Sequence, residues 1–387
     1  MTRKEFLKAA SILGMHISAF PAYSSSNRHI SDRTSSSTVL VIGAGAAGLS
    51  AGYLLKQKGI DFKILEASPG YGGRIKKTDD FADFPIPLGA EWLTVSTSIF
   101  DKIVNDDAVS VDVNTVGYNQ NDAYGIWKNN KLLLSDLGSF NYRKFVNSTW
   151  FDFFDEHIVP SISQDIVCNA AVNTVDYAGS KVMVSTESEV YTADKVIVTV
   201  PLKIIQNGTV KFTPPLPKNK LKAIHNAVVW DGIKVFLTFS ERFYPTYIDF
   251  KITPETDGQV SYFDAAYGQN TDKNILGLFA VGTPAKNYTS FDDDDLKNYI
   301  LNELDKIFSN RATPNYIDHI VQDWSKEPYI QGAYLNDYED WKTVRTLSKP
   351  VADKIYFAGE AYTSGDDWGS VQAATQAAKE TVDKITD

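Results

Sequence analysis

The sequence predicts an α/β protein in two parts, the first organised around a parallel sheet and the second around a mixed sheet with helices. The main observation lies near the start, where the apolar strand pattern Val39-Leu-Val-Ile42 runs into the glycine-rich segment Gly43-Ala-Gly45-Ala-Ala-Gly48 and then into a helical pattern. A second short strand, at 61–65, ends at the acid Glu66, which lies 18 positions past Gly48. Strand, glycine loop, helix, strand and acid in this order predict a Rossmann-like nucleotide-binding domain.

Each glycine of this loop has a separate physical role in binding a dinucleotide. Gly43 allows a tight turn, Gly45 lets the backbone approach a pyrophosphate, and Gly48 allows the helix to pack closely on the strand. The helix N-terminus offers free N–H groups to phosphates, and Glu66 would accept hydrogen bonds from a ribose. The predicted contacts in this segment are Gly43, Gly45, Ala47, Gly48, Glu66 and Ala67. The fingerprint alone leaves NAD and FAD open.

Three further segments distinguish these cofactors. Two glycines and an arginine follow the acid at Gly72-Gly73-Arg74, and Leu88-Gly89-Ala90-Glu91-Trp92 forms a second loop. Near the C-terminus a strand pattern ends at Gly359-Glu360, and a helical pattern begins at Val371. These segments resemble those of the flavin-containing amine oxidase family, which includes monoamine oxidases, polyamine oxidases, L-amino-acid oxidases and histone lysine demethylases.

The resemblance extends in order from about residue 38 to 385 and is weak only in about residues 100–155. It implies FAD as the cofactor. Because Ala333 stands where part of the family carries a flavin-linked cysteine, it implies non-covalent binding. The resemblance also includes an inserted strand meander that begins near Val172. In the family, the residue that corresponds to Val172 contacts the adenine. Further cofactor contacts implied by the resemblance are Gly73, Arg74, Gly89, Ala90, Glu91, Trp92, Val172, Gly359, Glu360 and Val371.

The predicted catalytic residues are Lys234, Tyr334, Trp324 and Trp368. Lys234 lies in an alternating strand pattern at 233–239, which by itself predicts a solvent-facing lysine. By resemblance, this lysine holds a water against flavin N5 and assists reoxidation. Tyr334 and Trp324 would form an aromatic wall beside the flavin. Trp368 lies two positions before the point where the family carries its second flavin-proximal aromatic residue, and would substitute for it.

The predicted FAD-binding domain comprises residues 38–95, 160–226 and 350–387, and the substrate domain comprises residues 96–159 and 227–349. Relatives carry a helical substrate subdomain and lid between the second loop and the meander, but this stretch is short here. The sequence therefore predicts a mixed-sheet α+β substrate domain with a reduced helical lid. A site open to a large substrate, one completed by a homo-oligomer or partner, and one that is no longer catalytic all remain open.

Composition narrows the class of protein further. Lys and Arg number 38 against 48 Asp and Glu, and the formal net charge of −10 argues against a nucleic-acid partner. The single cysteine, Cys168, excludes a disulfide within one chain. The five histidines share no metal-ligand spacing, so no metal site is predicted.

The first 25 residues predict a signal peptide, because a basic start is followed by a short apolar run and small residues. The pattern resembles a twin-arginine signal in which Lys4 replaces the second arginine. The apolar run is too short for a stable membrane span, and the polar residues 26–37 predict a linker. We therefore expect a periplasmic or otherwise exported protein; the alternative is a cytoplasmic protein with an amphipathic N-terminal helix.

The resemblance implies an FAD-dependent amine oxidase that uses a small-molecule amine and O2. In such enzymes a hydride passes from the carbon next to the amine nitrogen to flavin N5, the imine is hydrolysed, and O2 is reduced to H2O2. Two alternatives remain open. One is an FAD-dependent dehydrogenase or desaturase with an acceptor other than oxygen, and the other is a non-catalytic FAD-binding protein.

Overall fold

The computed structural model describes residues 38–251, 256–364 and 367–386, which belong to one compact unit. The predicted signal peptide at 1–25 and linker at 26–37 lie outside these residues, so export stays a prediction. Among the described residues, no helix combines the length and the apolar character that crossing a membrane requires.

The described strands and helices are numbered here in chain order. The strands are β1 Val39–Ile42, β2 Phe62–Leu65, β3 Lys77–Thr78, β4 Ile86–Pro87, β5 Trp92–Leu93, β6 Thr115–Gly117, β7 Ala123–Lys128, β8 Lys131–Asp136, β9 Arg143–Phe145, β10 Ile166–Val167, β11 Thr174–Asp176, β12 Val182–Ser185, β13 Val190–Ala193, β14 Lys195–Val198, β15 Lys211–Thr213, β16 Gly232–Phe239, β17 Tyr247–Phe250, β18 Gly258–Asp264, β19 Asn274–Gly282, β20 Tyr316–Asp323 and β21 Ile355–Phe357. The helices are α1 Ala46–Gln57, α2 Ile99–Val104, α3 Trp150–His157, α4 Val159–Ile162, α5 Leu202–Gln206, α6 Lys218–Asn226, α7 Lys286–Thr289, α8 Asp293–Ile307, α9 Ala312–Asn315, α10 Trp341–Ser348 and α11 Val371–Thr386.

Strand β1 lies at the centre of a parallel sheet with the order β10-β2-β1-β14-β21. All residues of β1 are buried, as expected for a parallel strand covered on both faces. Because β1 and β2 pair in parallel register, their carboxyl ends meet at the same edge of the sheet. This edge carries the glycine loop and Glu66, so the predicted Rossmann-like architecture is confirmed.

The two faces of the parallel sheet are covered by different elements. Helices α1 and α11 pack together on one face, where the small side chains of Ala51, Ala377 and Ala378 are buried and allow a close approach. The other face packs against the predicted meander, which forms a sheet with the order β13-β12-β11-β15. The valines Val175 and Val182 are fully buried there.

A mixed sheet with the order β20-β16-β19-β18-β17-β7-β8 forms the second part of the fold. One face of β16, with Val235 and Leu237, packs against α8. The other face, with Phe236, packs against Phe84 and Ile86. The predicted α+β arrangement is therefore confirmed.

Residues 96–159, predicted to belong to the substrate domain and its reduced lid, divide between the two parts. The β7–β8 hairpin extends the mixed sheet. Helices α2 and α3 instead place Phe100, Trp150 and Phe153 in the core against the parallel sheet. Helix α3 therefore packs with the nucleotide-binding part. The domain boundaries, and a homo-oligomer or partner over this region, stay predictions.

Candidate cofactor and substrate site

A cavity of about 420 Å³ extends from the glycine loop to the mixed sheet. The predicted site residues in its walls are Gly43, Gly45, Ala47, Glu66, Ala67, Gly73, Arg74, Gly89, Ala90, Glu91, Trp92, Val172, Lys234, Trp324, Tyr334, Gly359, Glu360 and Val371. Two predicted site residues, Gly48 and Trp368, are not part of the walls formed by the described residues. The fold thus brings together residues that lie up to 328 positions apart in the sequence, from Gly43 to Val371. Each cofactor contact stays a prediction.

The turn at the end of β1 depends on glycine. Gly43 has a φ of +104°, which L side chains rarely adopt. Thr199 Oγ1 donates to the carbonyl oxygen of Ile42 at 2.8 Å and lies 3.1 Å from that of Gly43. A Cβ atom on Gly48 would lie 1.9 Å from the Gly43 carbonyl oxygen. Gly48 therefore allows α1 to pack closely on β1, as predicted, although Gly48 itself does not line the cavity.

The N-terminus of α1 is suited to an anion. Its N-cap residue is Gly45, which has no side chain to accept the first N–H groups. Ala46 and Ala47 of the first turn line the cavity. Unsatisfied N–H groups and the positive end of the helix dipole together favour a phosphate at this position.

Glu66 is held in one orientation at the end of β2. Its Oε2 accepts the N–H of Ala44 at 2.7 Å, and its Oε1 accepts the N–H of Ser68 at 2.8 Å. The side chain is buried but still contributes to the cavity wall. A carboxylate oxygen can accept more than one hydrogen bond, so this geometry leaves capacity for a ribose hydroxyl.

Arg74 connects the segment after β2 to two segments near the C-terminus. Its Nη1 donates to the carbonyl oxygen of Ala333 at 2.5 Å and to Glu360 Oε1 at 2.9 Å. Glu360 Oε2 also accepts the N–H of Leu335 at 3.2 Å. In this structure the guanidinium is therefore bound to the protein, and the phosphate contact predicted for Arg74 stays a prediction.

Lys234 is buried, so the solvent-facing position indicated by its strand pattern is wrong. The loop at 87–91 covers that face of the mixed sheet. The Lys234 ammonium donates to the carbonyl oxygens of Pro87 at 2.7 Å and Gly89 at 3.1 Å, and to Glu91 Oε2 at 2.6 Å. Glu91 Oε1 lies 3.0 Å from Nζ of Lys144, a residue that the sequence analysis missed. Burial lowers the pKa of Lys234, and the Glu91 carboxylate opposes this effect.

Two of the three predicted catalytic aromatic residues, Trp324 and Tyr334, lie in the cavity wall. Trp324 is buried and donates its indole N–H to the carbonyl oxygen of Leu88 at 3.0 Å, and the Tyr334 ring packs near Gly369. Trp368 instead donates to the carbonyl oxygen of Asn336 at 2.8 Å and packs against the core beneath the meander. Trp368 is therefore not positioned to complete an aromatic pair in the wall.

Three further aromatic residues that the sequence analysis did not identify lie in the cavity wall around the predicted contact Trp92. Trp92 lies at the centre of a cluster, with ring-centroid distances of 6.1 Å to Tyr142, 6.2 Å to Tyr247 and 5.9 Å to Phe279. All four line the cavity. Tyr142 comes from the segment of weak resemblance, and the other two newly found residues lie on mixed-sheet strands without a distinguishing motif, so no sequence signal marked them.

Asp337 also lines the cavity, three positions after Tyr334. Within the described ranges, no hydrogen bond or ion pair involves its carboxylate. Asp337 remains exposed to solvent, and partial desolvation by its surroundings raises its pKa. Desolvation is the main cause that raises the pKa of Tyr142 and of Tyr334, and the charge of Asp337 is the second. A carboxylate among aromatic rings provides a site for a cation.

These features fit FAD. The uncapped helix N-terminus and Glu66 suit the pyrophosphate and ribose, and the cavity continues as far as an aromatic, carboxylate-bearing end. Among the described residues, no group of three or more histidine, cysteine, aspartate or glutamate side chains is arranged to hold a metal ion.

Comparisons with known proteins agree with this site. A sequence model described as flavin containing amine oxidoreductase matches residues 155–386, and one described as NAD(P)-binding Rossmann-like domain matches residues 41–104. Polyamine oxidase 2 of Arabidopsis thaliana is 24% identical over 429 residues, which cover 88% of this chain and 86% of that protein. Lysine-specific histone demethylase 1B of Mus musculus is 24% identical over 411 residues, covering 84% of this chain. The chain spans about half the length of the histone demethylases that it matches first.

Solved structures of putrescine oxidase share the fold. The wild-type enzyme bound to putrescine superposes with a TM-score of 0.73 at 15% identity, covering 90% of this chain and 99% of that chain. A triple mutant of the same enzyme gives a TM-score of 0.75. The family match covers more than half of the sequence, from α3 to the last helix. The chain therefore belongs to the flavin-containing amine oxidoreductase family.

Proposed function

We propose that this protein is an FAD-dependent oxidase of small-molecule amines that binds FAD without a covalent bond. The observation that carries the proposal is one cavity that joins the Rossmann glycine loop to an aromatic end containing Asp337. Ligand cavities of this kind combine apolar walls with a few placed polar groups. Ala333 lies in the wall and offers no thiol for a covalent link.

The residues of the chain would bind and orient both ligands. Bound FAD would supply the acceptor for a hydride from the carbon next to the amine nitrogen, with O2 as the final electron acceptor. Glu66 and the N-terminus of α1 would hold the nucleotide. Trp324 and Tyr334 would exclude water from the reacting end, and Lys234 would supply a fixed positive charge.

An anaerobic titration tests the proposal. Mono-, di- and polyamines are added without oxygen to FAD-loaded protein, and at least one should bleach the flavin absorbance and yield H2O2 when air is admitted. Acid precipitation should release the flavin into the supernatant. Bleaching without H2O2 would instead favour the dehydrogenase or desaturase alternative. A flavin that no amine reduces would favour the non-catalytic one, and a chain that cannot be loaded with FAD would contradict the proposal.

Asp337 provides a specific prediction about the substrate. Asp337→Asn keeps the shape of the side chain but removes the one cavity charge that lacks a protein partner among the described residues. We expect KM for a diamine to rise about tenfold, because a charge-assisted hydrogen bond contributes about 1.5–3 kcal/mol. The KM of a monoamine should change much less. Steady-state kinetics with a diamine and a monoamine of equal chain length measure the difference.

The matched control is Asp340→Asn, at an exposed aspartate outside the cavity wall. It should change neither KM.

The contribution of Asp337 to diamine binding should also depend on pH. Because the pKa of Asp337 is raised, this contribution is present at neutral pH and is lost as pH falls through a value above the usual 3.8. The diamine preference should therefore decline on acidification in the wild type and not in Asp337→Asn. Equal KM increases for both substrates would contradict a role in recognising a second cation.

A further inference from the structure

The buried network of Lys144, Glu91 and Lys234 contains two positive charges and one negative charge. The three side chains are exposed to solvent by only 4%, 2% and 3%, respectively. Their ion-pair distances are 3.0 Å for Lys144 and 2.6 Å for Lys234. A buried carboxylate needs one cationic partner for neutrality, so the second lysine leaves the network with a net charge of +1.

Each lysine has three acceptors, matching the three N–H groups of an ammonium. Lys234 donates to two loop carbonyls and Glu91. Lys144 donates to the carbonyl oxygens of Asp264 at 3.3 Å and Ala265 at 2.7 Å, and pairs with Glu91. Both ammonium groups also lie over the ring of Phe263, at 5.3 Å and 5.6 Å. These contacts fix the positions of both charges.

The network joins three separate segments at the cavity. Glu91 lies in the loop between β4 and β5, Lys144 on β9 and Lys234 on β16. Glu91 and Lys234 line the cavity, whereas Lys144 does not. The nearby carboxylate of Asp264 also interacts with the charge of Lys144, but it is paired with Arg242 at 2.9 Å, and this neutral pair adds no net charge to the network.

A buried ion network of this kind is weak evidence for stability, because removing charges from water is costly. Its fixed charge is better suited to electrostatic stabilisation of a bound group, since preorganised charges act strongly where water is excluded. Reduction of a flavin adds negative charge to its ring system. A net charge of +1 on this network, held beside the cavity, therefore favours the reduced form over the oxidised form.

We propose that Glu91 and Lys144 are positioning residues that fix the ammonium of Lys234 and set the net charge facing bound FAD. In this way they set the reduction potential of the flavin. This proposal rests on the proposed binding of FAD. Glu91 attenuates the positive charge, and Lys144 restores part of it from outside the cavity. Substitutions at the two residues should consequently shift the potential in opposite directions.

The test measures the midpoint potential of protein-bound FAD by dye equilibration at pH 7, without any substrate. Glu91→Gln should shift the potential to more positive values, and Lys144→Met to more negative values. Lys144→Arg, which keeps the charge, should stay close to the wild type. Shifts in the same direction for Glu91→Gln and Lys144→Met, or no shift in either, would overturn the proposal.

Two further variants separate this role from a structural one. Lys220→Met removes another buried lysine, whose Nζ donates to the carbonyl oxygens of Leu347 at 2.6 Å and Lys349 at 2.7 Å outside the cavity wall. It should lower stability without moving the potential. If Glu91→Gln does not fold, the difference in midpoint potential between Lys144→Met and Lys144→Arg tests the proposal. Equal potentials for these two variants would overturn it. If no amine reduces the flavin, the proposed function is contradicted. The order of the midpoint potentials among the variants can still be measured, because that measurement uses no substrate.

Discussion

Glu91→Gln is expected to lower the free energy of unfolding by about 3–5 kcal/mol, the cost of removing one partner from a buried ion pair. The substitution changes almost no volume, yet it leaves Lys144 and Lys234 without a counter-charge. The new amide nitrogen would also place a donor against a lysine that can only donate. Lys234→Met and Lys144→Met should each cost less, because either one leaves a balanced pair with Glu91.

Urea unfolding of the three variants measures this order at equal FAD occupancy. The comparison has a built-in control, since the two lysine variants remove more atoms than the glutamate variant. A larger loss for Lys144→Met than for Glu91→Gln would contradict the charge argument and indicate that packing dominates.

The same network predicts an acid-dependent stability difference. Burial by itself would raise the pKa of Glu91, but the ammonium groups of Lys144 and Lys234 outweigh it and hold that pKa below its usual 4.5. A lowered pKa in the folded state contributes stability that is present above the usual value and is lost as pH falls through the folded value. The gap in unfolding free energy between wild type and Glu91→Gln should therefore narrow below about pH 4.5. A gap that is constant from pH 7 to pH 3 would contradict this assignment.

Gly48→Ala is expected to weaken FAD binding at least about tenfold and to lower stability by about 1–3 kcal/mol, as overpacking does. The added Cβ would lie 1.9 Å from the carbonyl oxygen of Gly43 and 2.9 Å from its carbonyl carbon. Both are backbone atoms, so no change of rotamer can relieve the overlap. Helix α1 must move away from β1, and its N-terminus leaves the position suited to a phosphate.

Gly70→Ala is the matched control, because a Cβ there has nothing within 4 Å and the residue lies in the same part of the chain. Fluorescence titration with FAD and thermal melting of the apoprotein measure both effects. Gly70→Ala should behave as wild type in each. Normal FAD affinity in Gly48→Ala would show that the helix tolerates the shift and that Gly48 is not required for binding.

The nucleotide-binding half could be predicted because its chemistry is local. The turn at Gly43, the packing at Gly48 and the acid at the end of β2 lie within 24 consecutive residues, 43–66, and their spacing specifies the geometry. The ordered resemblance then placed Lys234, Trp324 and Tyr334, which all line the cavity. The local sequence pattern and the ordered resemblance to the family were together sufficient to predict these residues of the cavity wall.

The substrate half depends on contacts that no local pattern encodes. Lys234 alternates like a surface residue, but the loop at 87–91 covers its face and supplies the carbonyl groups that bind it. Lys144 meets Glu91 only after β9 has been placed beside β5. Trp368 lies close to the expected position in sequence, yet its hydrogen bond to Asn336 directs it into the core beneath the meander. Tertiary packing, rather than propensity, decides each case.

The packing of α11 against α1 also constrains the order of events during synthesis. Helix α11 supplies Val371, Gln372 and Ala374 to the cavity wall, and β21 forms an edge of the parallel sheet on which α1 rests. A chain that is still growing on the ribosome holds its glycine loop long before it holds these residues. Contacts so distant in sequence form late, after the intervening segments are available. Because α11 supplies part of the wall, a cofactor can meet the complete cavity only after this helix has been synthesised, long after the glycine loop.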